Sequence, residues 1–249
     1  MSLQFSISPD FNADQLSQWF IFNTWMQRAL ARPIHFEPYD EFAALRAALA
    51  ADKVDLIYAN PFDTAFLVRE QGFLPIARAR RRSDEAIVAV AAGSPARRIA
   101  DLASPLRVAA TDAPDVEMIG RILLEPAGLG RGDIQLTRKA NYVLVAKELL
   151  AAGVDAAFFL ERSFAELSDL VRSRMRILVA SRIYVVQHAL LVSPRFAAVR
   201  EELLASLLAM HLSERSSHLL ADLGFLDGWE EMTLEDAEFM IDLMDTLID

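Results

Sequence analysis

The sequence predicts an α/β fold in two lobes, each a mixed sheet flanked by helices, and three observations carry that reading. The period of the apolar residues switches repeatedly between the strand and helix patterns. The 249 residues suffice for one large domain or two medium ones, each with its own core. A strand-rich stretch between about residues 83 and 182 interrupts a lobe whose sequence comes from both chain ends, so lobe 1 is expected over 1–82 plus 183–249 and lobe 2 over 83–182. Two crossings imply a hinged cleft rather than beads on a string.

The elements follow in order. "LQFSIS" reads as a first strand, and Asn12 with Gln15 three residues later has the spacing of a helix cap. A short strand "IHFEP", a helix "EFAALRAALAA" and a buried strand "VDLIYA" complete a βαβ-like unit, which puts Asn60 at a strand's carboxyl end, where open α/β sheets place ligands. After Phe73 come the strands "FLPIARAR" and "EAIVAVAAG", a short helix in "SPARRIADLASP", the strand "LRVAAT" and a helix from Pro114 to Glu125. "GLGRGD" is a glycine-punctuated loop. It leads to the strand "IQLT", a helix from Tyr142 to Ala152, and the strands "VDAAFF", "RMRILVAS" and "YVVQHALLVS". Beyond these the pattern is almost purely helical, with Thr233 and Asp236 in capping-box spacing before the last helix.

Composition excludes several classes. Thirty-five acidic against 25 basic residues give a net charge of −10, which argues against nucleic acid or an anionic membrane as the main partner. The basic cluster "RARRR", followed at once by Asp84 and Glu85, reads as a solvated, locally neutralised connection. No apolar run approaches the roughly 20 residues that span a bilayer, so direct membrane insertion is not expected and the 53% hydrophobic content belongs to a core. The absence of cysteine rules out disulfides and thiol chemistry. His35, His211 and His218 are too scattered for a metal site, and neither metal nor cofactor is expected. The first residues show no basic start and no apolar h-region. As it stands the chain is expected in the cytoplasm, or in the periplasm if a signal peptide has been removed.

Five segments in one order, "ALAADKVDLIYANPFDTAFLVREQGFLPIA", "IADLASPLRVAATD", "LLAAGVDAAFFLERSFAEL", "RILVAS" and "LLADLGFLDGWEEM", resemble the phosphonate/phosphate-type substrate-binding proteins of ABC transporters. The resemblance runs from Leu3 to about Leu247 and implies the type-2 periplasmic-binding-protein fold. "KVDLIY" and "GVDAAF", each after an amphipathic helix ending in Ala-rich sequence, match the duplicated βαβ motif of that family, whose strand ends face each other across the cleft.

The resemblance also implies a site. In the family an oxyanion sits at a helix N-terminus within a Ser/Thr-rich loop, where free N–H groups, hydroxyls and the helix dipole converge. The corresponding stretch here is "ATDAPDVEM": Thr111 alone keeps a hydroxyl, Asp112 and Asp115 stand at cap positions, and Pro114 removes one N–H. Two carboxylates there disfavour a dianionic ligand. The family histidine falls on or beside Asn141 and Tyr142, its amine-holding carboxylate near His188, and a second carboxylate at Glu161. The candidate ligand-binding residues are thus Asn60 and Asp63 from the first lobe, Thr111, Asp112, Asn141, Tyr142 and Glu161 from the second, and Tyr184 and His188 near the return crossing. Such a set suits a neutral or cationic small molecule. Each has a plainer reading: Asn60-Pro61 as a strand-terminating turn, the aspartates as caps, His188 as a core histidine, Trp229 as packing.

Three functions stay open at this point. The leading one is a non-enzymatic ligand-binding protein, delivering to the membrane subunits of an ABC transporter if exported or sensing if it stays inside. The second is an enzyme of cofactor biosynthesis on the same scaffold, for which Asp112 with His188 is the one acid-base pairing available. The third is a degenerate interaction domain using the acidic last helix, whose apolar face carries Phe239, Met240, Leu243, Met244 and Leu247.

Overall fold

In the computed structural model, residues 2–11 and 13–248 are described, without the side chains of 13, 14, 247 and 248. The proposed cap at Asn12 lies outside them, as does the side chain of Leu247.

The chain begins β1 (Leu3–Ile7), α1 (Ala13–Ala29), β2 (Ile34–Phe36), α2 (Phe42–Ala50), β3 (Leu56–Ala59), α3 (Pro61–Arg69) and β4 (Leu74–Ala79). It continues with β5 (Ala86–Ala91), β6 (Leu106–Ala110), α4 (Pro114–Ile122), β7 (Ile134–Arg138), α5 (Tyr142–Leu150), β8 (Ala156–Leu160), α6 (Glu161–Glu166), α7 (Asp169–Arg172) and β9 (Met175–Ala180). It ends with β10 (Ala189–Val192), α8 (Arg200–Leu208), α9 (Glu214–Asp222), β11 (Trp229–Glu231) and α10 (Leu234–Ile248). Two compact units result: Met1–Arg82 with Gln187–Leu243, and Ser83–Val186 with Met244–Asp249.

The first unit holds one sheet in the order β11-β4-β10-β3-β1-β2. Strands β1, β2 and β3 are parallel, whereas β10 runs antiparallel to both β3 and β4. The central strand β3, "LIYA", is buried throughout, as a strand covered on both faces must be. Trp19, Phe22 and Met26 of α1 pack at helical spacing into a core with Phe5, Tyr58, Phe225 and Trp229. Trp229 is therefore a packing residue, its ring 4.7 Å from that of Phe225.

The second unit holds a sheet in the order β7-β6-β8-β5-β9, with β6, β7 and β8 parallel and β5 antiparallel to both its neighbours. Helix α4 approaches β8 so closely that a side-chain carbon at Gly120 would lie 2.6 Å from the Phe158 ring, so no larger residue fits there.

Two expectations are corrected. The strand read as starting at Tyr184 starts at Ala189, because the backbone N–H groups of Ile183 and Tyr184 donate to the Glu85 carboxylate instead of to a neighbouring strand. The segment read as almost purely helical contains β11, which pairs with β4. The basic cluster is solvated at Arg80 and Arg81 and also draws partners from the far end of the chain, while Asp84 pairs with Arg162. Arg78 meets Glu230 at 2.7 Å, Arg81 lies 3.9 Å from Asp227, and Arg82 donates to the carbonyls of Leu223 and Gly224. The capping box of α10 is as expected: Thr233 N–H donates to Asp236 at 2.9 Å and Asp236 N–H to the Thr233 hydroxyl at 3.1 Å. On that helix Met240 and Met244 are buried and Phe239 is exposed.

Candidate functional site

At the carboxyl end of β3 the sequence "NPFD" builds a helix start. Pro61 takes the first helical position, where a missing N–H costs nothing. Asn60 caps α3: its Oδ1 accepts from Asp63 N–H at 2.8 Å and its Nδ2 donates to Asp63 Oδ2 at 3.0 Å. Asn60 N–H in turn donates to the Ser8 hydroxyl after β1 at 2.8 Å, and Asp63 Oδ1 accepts from Arg46 Nε at 2.7 Å. Both Asn60 and Asp63 are buried. Asn60 and Asp63 thus come together, in a local network that ties β1, β3, α2 and α3.

His188, also in the first unit, is buried just before β10. Its Nε2 lies 2.9 Å from Asp10 Oδ2, and its ring packs against Phe11 and Tyr58 with centroids 5.2 and 5.3 Å apart. The acidic partner comes from the turn after β1, 178 positions away in sequence.

In the second unit the parallel strands β7, β6 and β8 bring the starts of α5, α4 and α6 to one edge of the sheet. Asn141 caps α5, accepting from Leu144 N–H at 3.0 Å, and Tyr142 is buried with its ring 6.0 Å from Phe159. Thr111 Oγ1 accepts from Ala113 N–H at 3.4 Å. The cap position of α4 belongs to Ala113, with no side-chain cap. Asp112 therefore does not cap; it is exposed and pairs with Arg138 at 2.9 Å, which also reaches Glu117 at 2.5 Å. Asp115 sits on the second residue of α4 and is 1% exposed, placing a carboxylate against the positive end of that helix. Glu161 opens α6 and pairs with Arg182 at 3.1 Å.

Tyr184 is 68% exposed and has a backbone φ of 61°, a conformation that bulky residues seldom adopt. Its N–H donates to Glu85 Oε1 at 2.8 Å, Ile183 N–H to Glu85 Oε2 at 3.0 Å, and the Ser181 hydroxyl also donates to Oε2. Burial by itself would raise the Glu85 carboxyl; the Ser181 hydroxyl and the Tyr184 and Ile183 N–H groups outweigh it and hold the group below its ordinary value. Asp112 and His188 each have a different partner, Arg138 and Asp10, and belong to different units. Among the described residues no group of three or more acidic or imidazole side chains is arranged to hold a metal, and no helix is long and apolar enough to cross a membrane.

Participants that escaped sequence reasoning include Ser8, Asp10, Arg46, Glu85, Arg138, Ser181 and Arg182. Arg46 carried a signal, as the one charged residue in the helix "FAALRAALA".

Residues 5–237 match the family model for the periplasmic substrate-binding protein of phosphonate ABC transporters. No curated protein matches the chain in sequence. Among solved structures, PhnD1 from Prochlorococcus marinus, in complex with methylphosphonate, superposes with a TM-score of 0.83 at 13% identity over 99% of this chain and 98% of that one. A binding protein component of an ABC phosphonate transporter from Pseudomonas aeruginosa gives 0.79 at 13% identity over 100% and 89%. The periplasmic aliphatic sulphonate binding protein SsuA from Escherichia coli gives 0.66 at 17% identity over 98% and 87%. These likenesses establish the type-2 periplasmic-binding-protein fold, with a mixed sheet in each unit flanked by helices.

Proposed function

Because the chain belongs to the family of phosphonate periplasmic substrate-binding proteins of ABC transporters, we propose that it captures a small molecule other than a dianionic phosphonate and delivers it to the membrane subunits of such a transporter. It works without catalysis and, like its family, in the periplasm. The observation that carries the ligand choice is Asp115, a buried carboxylate on the second residue of α4. A phosphonate dianion at that helix start meets a like charge in a poorly solvated place, where repulsion is strong. Asp112 adds a second carboxylate beside it, already paired with Arg138. Thr111, Asn141, Tyr142, Glu161 and Tyr184 are the ligand contacts proposed for the second unit, and Asn60, Asp63 and His188 shape the first.

A ligand that binds only the native state must raise Tm. A panel of phosphonates, sulfonates, amino acids and amines is expected to contain at least one compound that stabilises the protein, with methylphosphonate not among them. Asp115→Ser is expected to gain methylphosphonate binding. A wild-type protein stabilised by methylphosphonate as strongly as by any other compound would overturn the ligand choice.

One observation favours a second reading. Asn60, Asp63 and His188 are buried and spend hydrogen bonds on Arg46, Ser8 and Asp10, as in a family member that has given up its ligand. Silence across the whole panel would support it.

A further inference from the structure

We propose that Arg46 is the recognition group for an organic monoanion, a carboxylate or sulfonate with an apolar body; this deepens the ligand-binding reading above and rests on it. Arg46 projects from α2 and is held on three sides. Its Nε donates to the buried Asp63 carboxylate at 2.7 Å, and its guanidinium carbon lies 5.4 Å from the ring centroids of both Phe42 and Phe62. Its two terminal nitrogens make no hydrogen bond to any described residue, and its side chain is 42% exposed.

A guanidinium gripped through Nε presents its remaining N–H edge as a fork, the geometry that takes two oxygens of one anion. The rotamer entropy of the long side chain is already spent by Asp63 and the two rings, so little is lost when an anion arrives. Asp63 cancels about one unit of charge, which suits a monoanion better than a dianion. Phe62 lies against the guanidinium and Phe66 follows four residues on along the same face of α3; both are about half exposed, so apolar surface runs on from the fork. A staple between α2 and α3 would need only the Nε contact and neither exposed ring.

The test uses the full chain with benzoate and benzenesulfonate as probes, benzamide as the uncharged control, and the phosphonate, amino acid and amine panel alongside. Benzoate or benzenesulfonate at millimolar concentration is expected to raise Tm by about 2–4 °C, and benzamide by less than about 1 °C. Arg46→Gln is expected to abolish that shift. Arg46→Lys keeps a cation for Asp63 but not the fork, and is expected to weaken calorimetric affinity at least about tenfold with the ligand-free Tm nearly unchanged. Should the Gln variant not fold, the Lys variant decides. Equal affinity of wild type and Arg46→Lys, equal shifts from benzamide and benzoate, or stabilisation by neutral or cationic compounds only, overturns the role of Arg46 while leaving ligand binding intact. No shift from any compound overturns both.

Discussion

Asp55 and Asp155 do the same work in the two units under different conditions. Asp55 accepts from the backbone N–H of Gln4 in β1 at 2.8 Å and from Arg195 Nε at 2.6 Å. Asp155 accepts from the backbone N–H of Arg107 in β6 at 3.0 Å and from the same residue's Nη2 at 2.6 Å. Each also returns its own N–H to the carbonyl of the residue it caps, Gln4 or Arg107. In both units a Val-Asp pair thus registers a central strand against its parallel neighbour. The environments diverge: the Asp55 side chain is 2% exposed and the Asp155 side chain 41%. The duplicated motif conserves a geometry, while burial sets how much that geometry is worth.

The sharpest way to break the comparison is to remove both carboxylates. Asp55→Ala leaves the Gln4 N–H without its acceptor beside a buried position, while the half-exposed Arg195 keeps the Asp52 carbonyl, and is expected to cost about 2–3 kcal/mol in urea unfolding. Asp155→Ala removes a solvent-screened pair and is expected to cost less than about 1 kcal/mol. Equal losses would show that strand registration, not burial, sets the value.

Glu85 comes next. Its folded-state carboxyl lies below the ordinary value, so its contribution is fully present above the unfolded carboxylate pKa of about 4.3 and is lost as pH falls through the folded value. Glu85→Ala is expected to cost roughly 2–3 kcal/mol at neutral pH and to flatten the acid limb of the stability curve. Hydrogen exchange at Ile183 and Tyr184 is expected to accelerate with it. Unchanged exchange would mean that another contact holds this segment.

The smallest contrast is between the two asparagine caps. Asn60→Ala removes a buried cap that also holds Asp63, with an expected loss of about 2 kcal/mol; Asn141→Ala removes an exposed cap, with a loss of about 0.5–1 kcal/mol. Chevron or equilibrium denaturation of the two variants checks the order.

These pairs also show why the fold was more legible than the site. Period and punctuation are local, so β3, β8 and the capping box at Thr233 could be read from their own residues. Strand β11 was missed because three residues give alternation nothing to build on, and its pairing depends on distant β4. Asn60 was visible as a polar strand end and Asn141 as the residue before a helix, but not that both side chains would be spent as caps. Asp10 and Glu85 were invisible as site residues because their partners lie 178 and 96 to 99 positions away. Asp112 failed as a cap because α4 starts one residue later, with Ala113 at the cap position, and Asp112 pairs with Arg138 from β7 instead.

The place of β10 governs the order in which this protein can be born. It lies between β3 and β4, yet its residues, Ala189–Val192, leave the ribosome only after the whole of β5 to β9. The nascent first unit therefore carries two unfilled strand edges facing each other until then, an opening for wrong partners. The second sheet, drawn entirely from residues 86–180, has no such gap and can close first. A chain stopped at residue 186 is expected to hold a complete second sheet and an unfinished first one, open to wrong pairing until the missing strand is made.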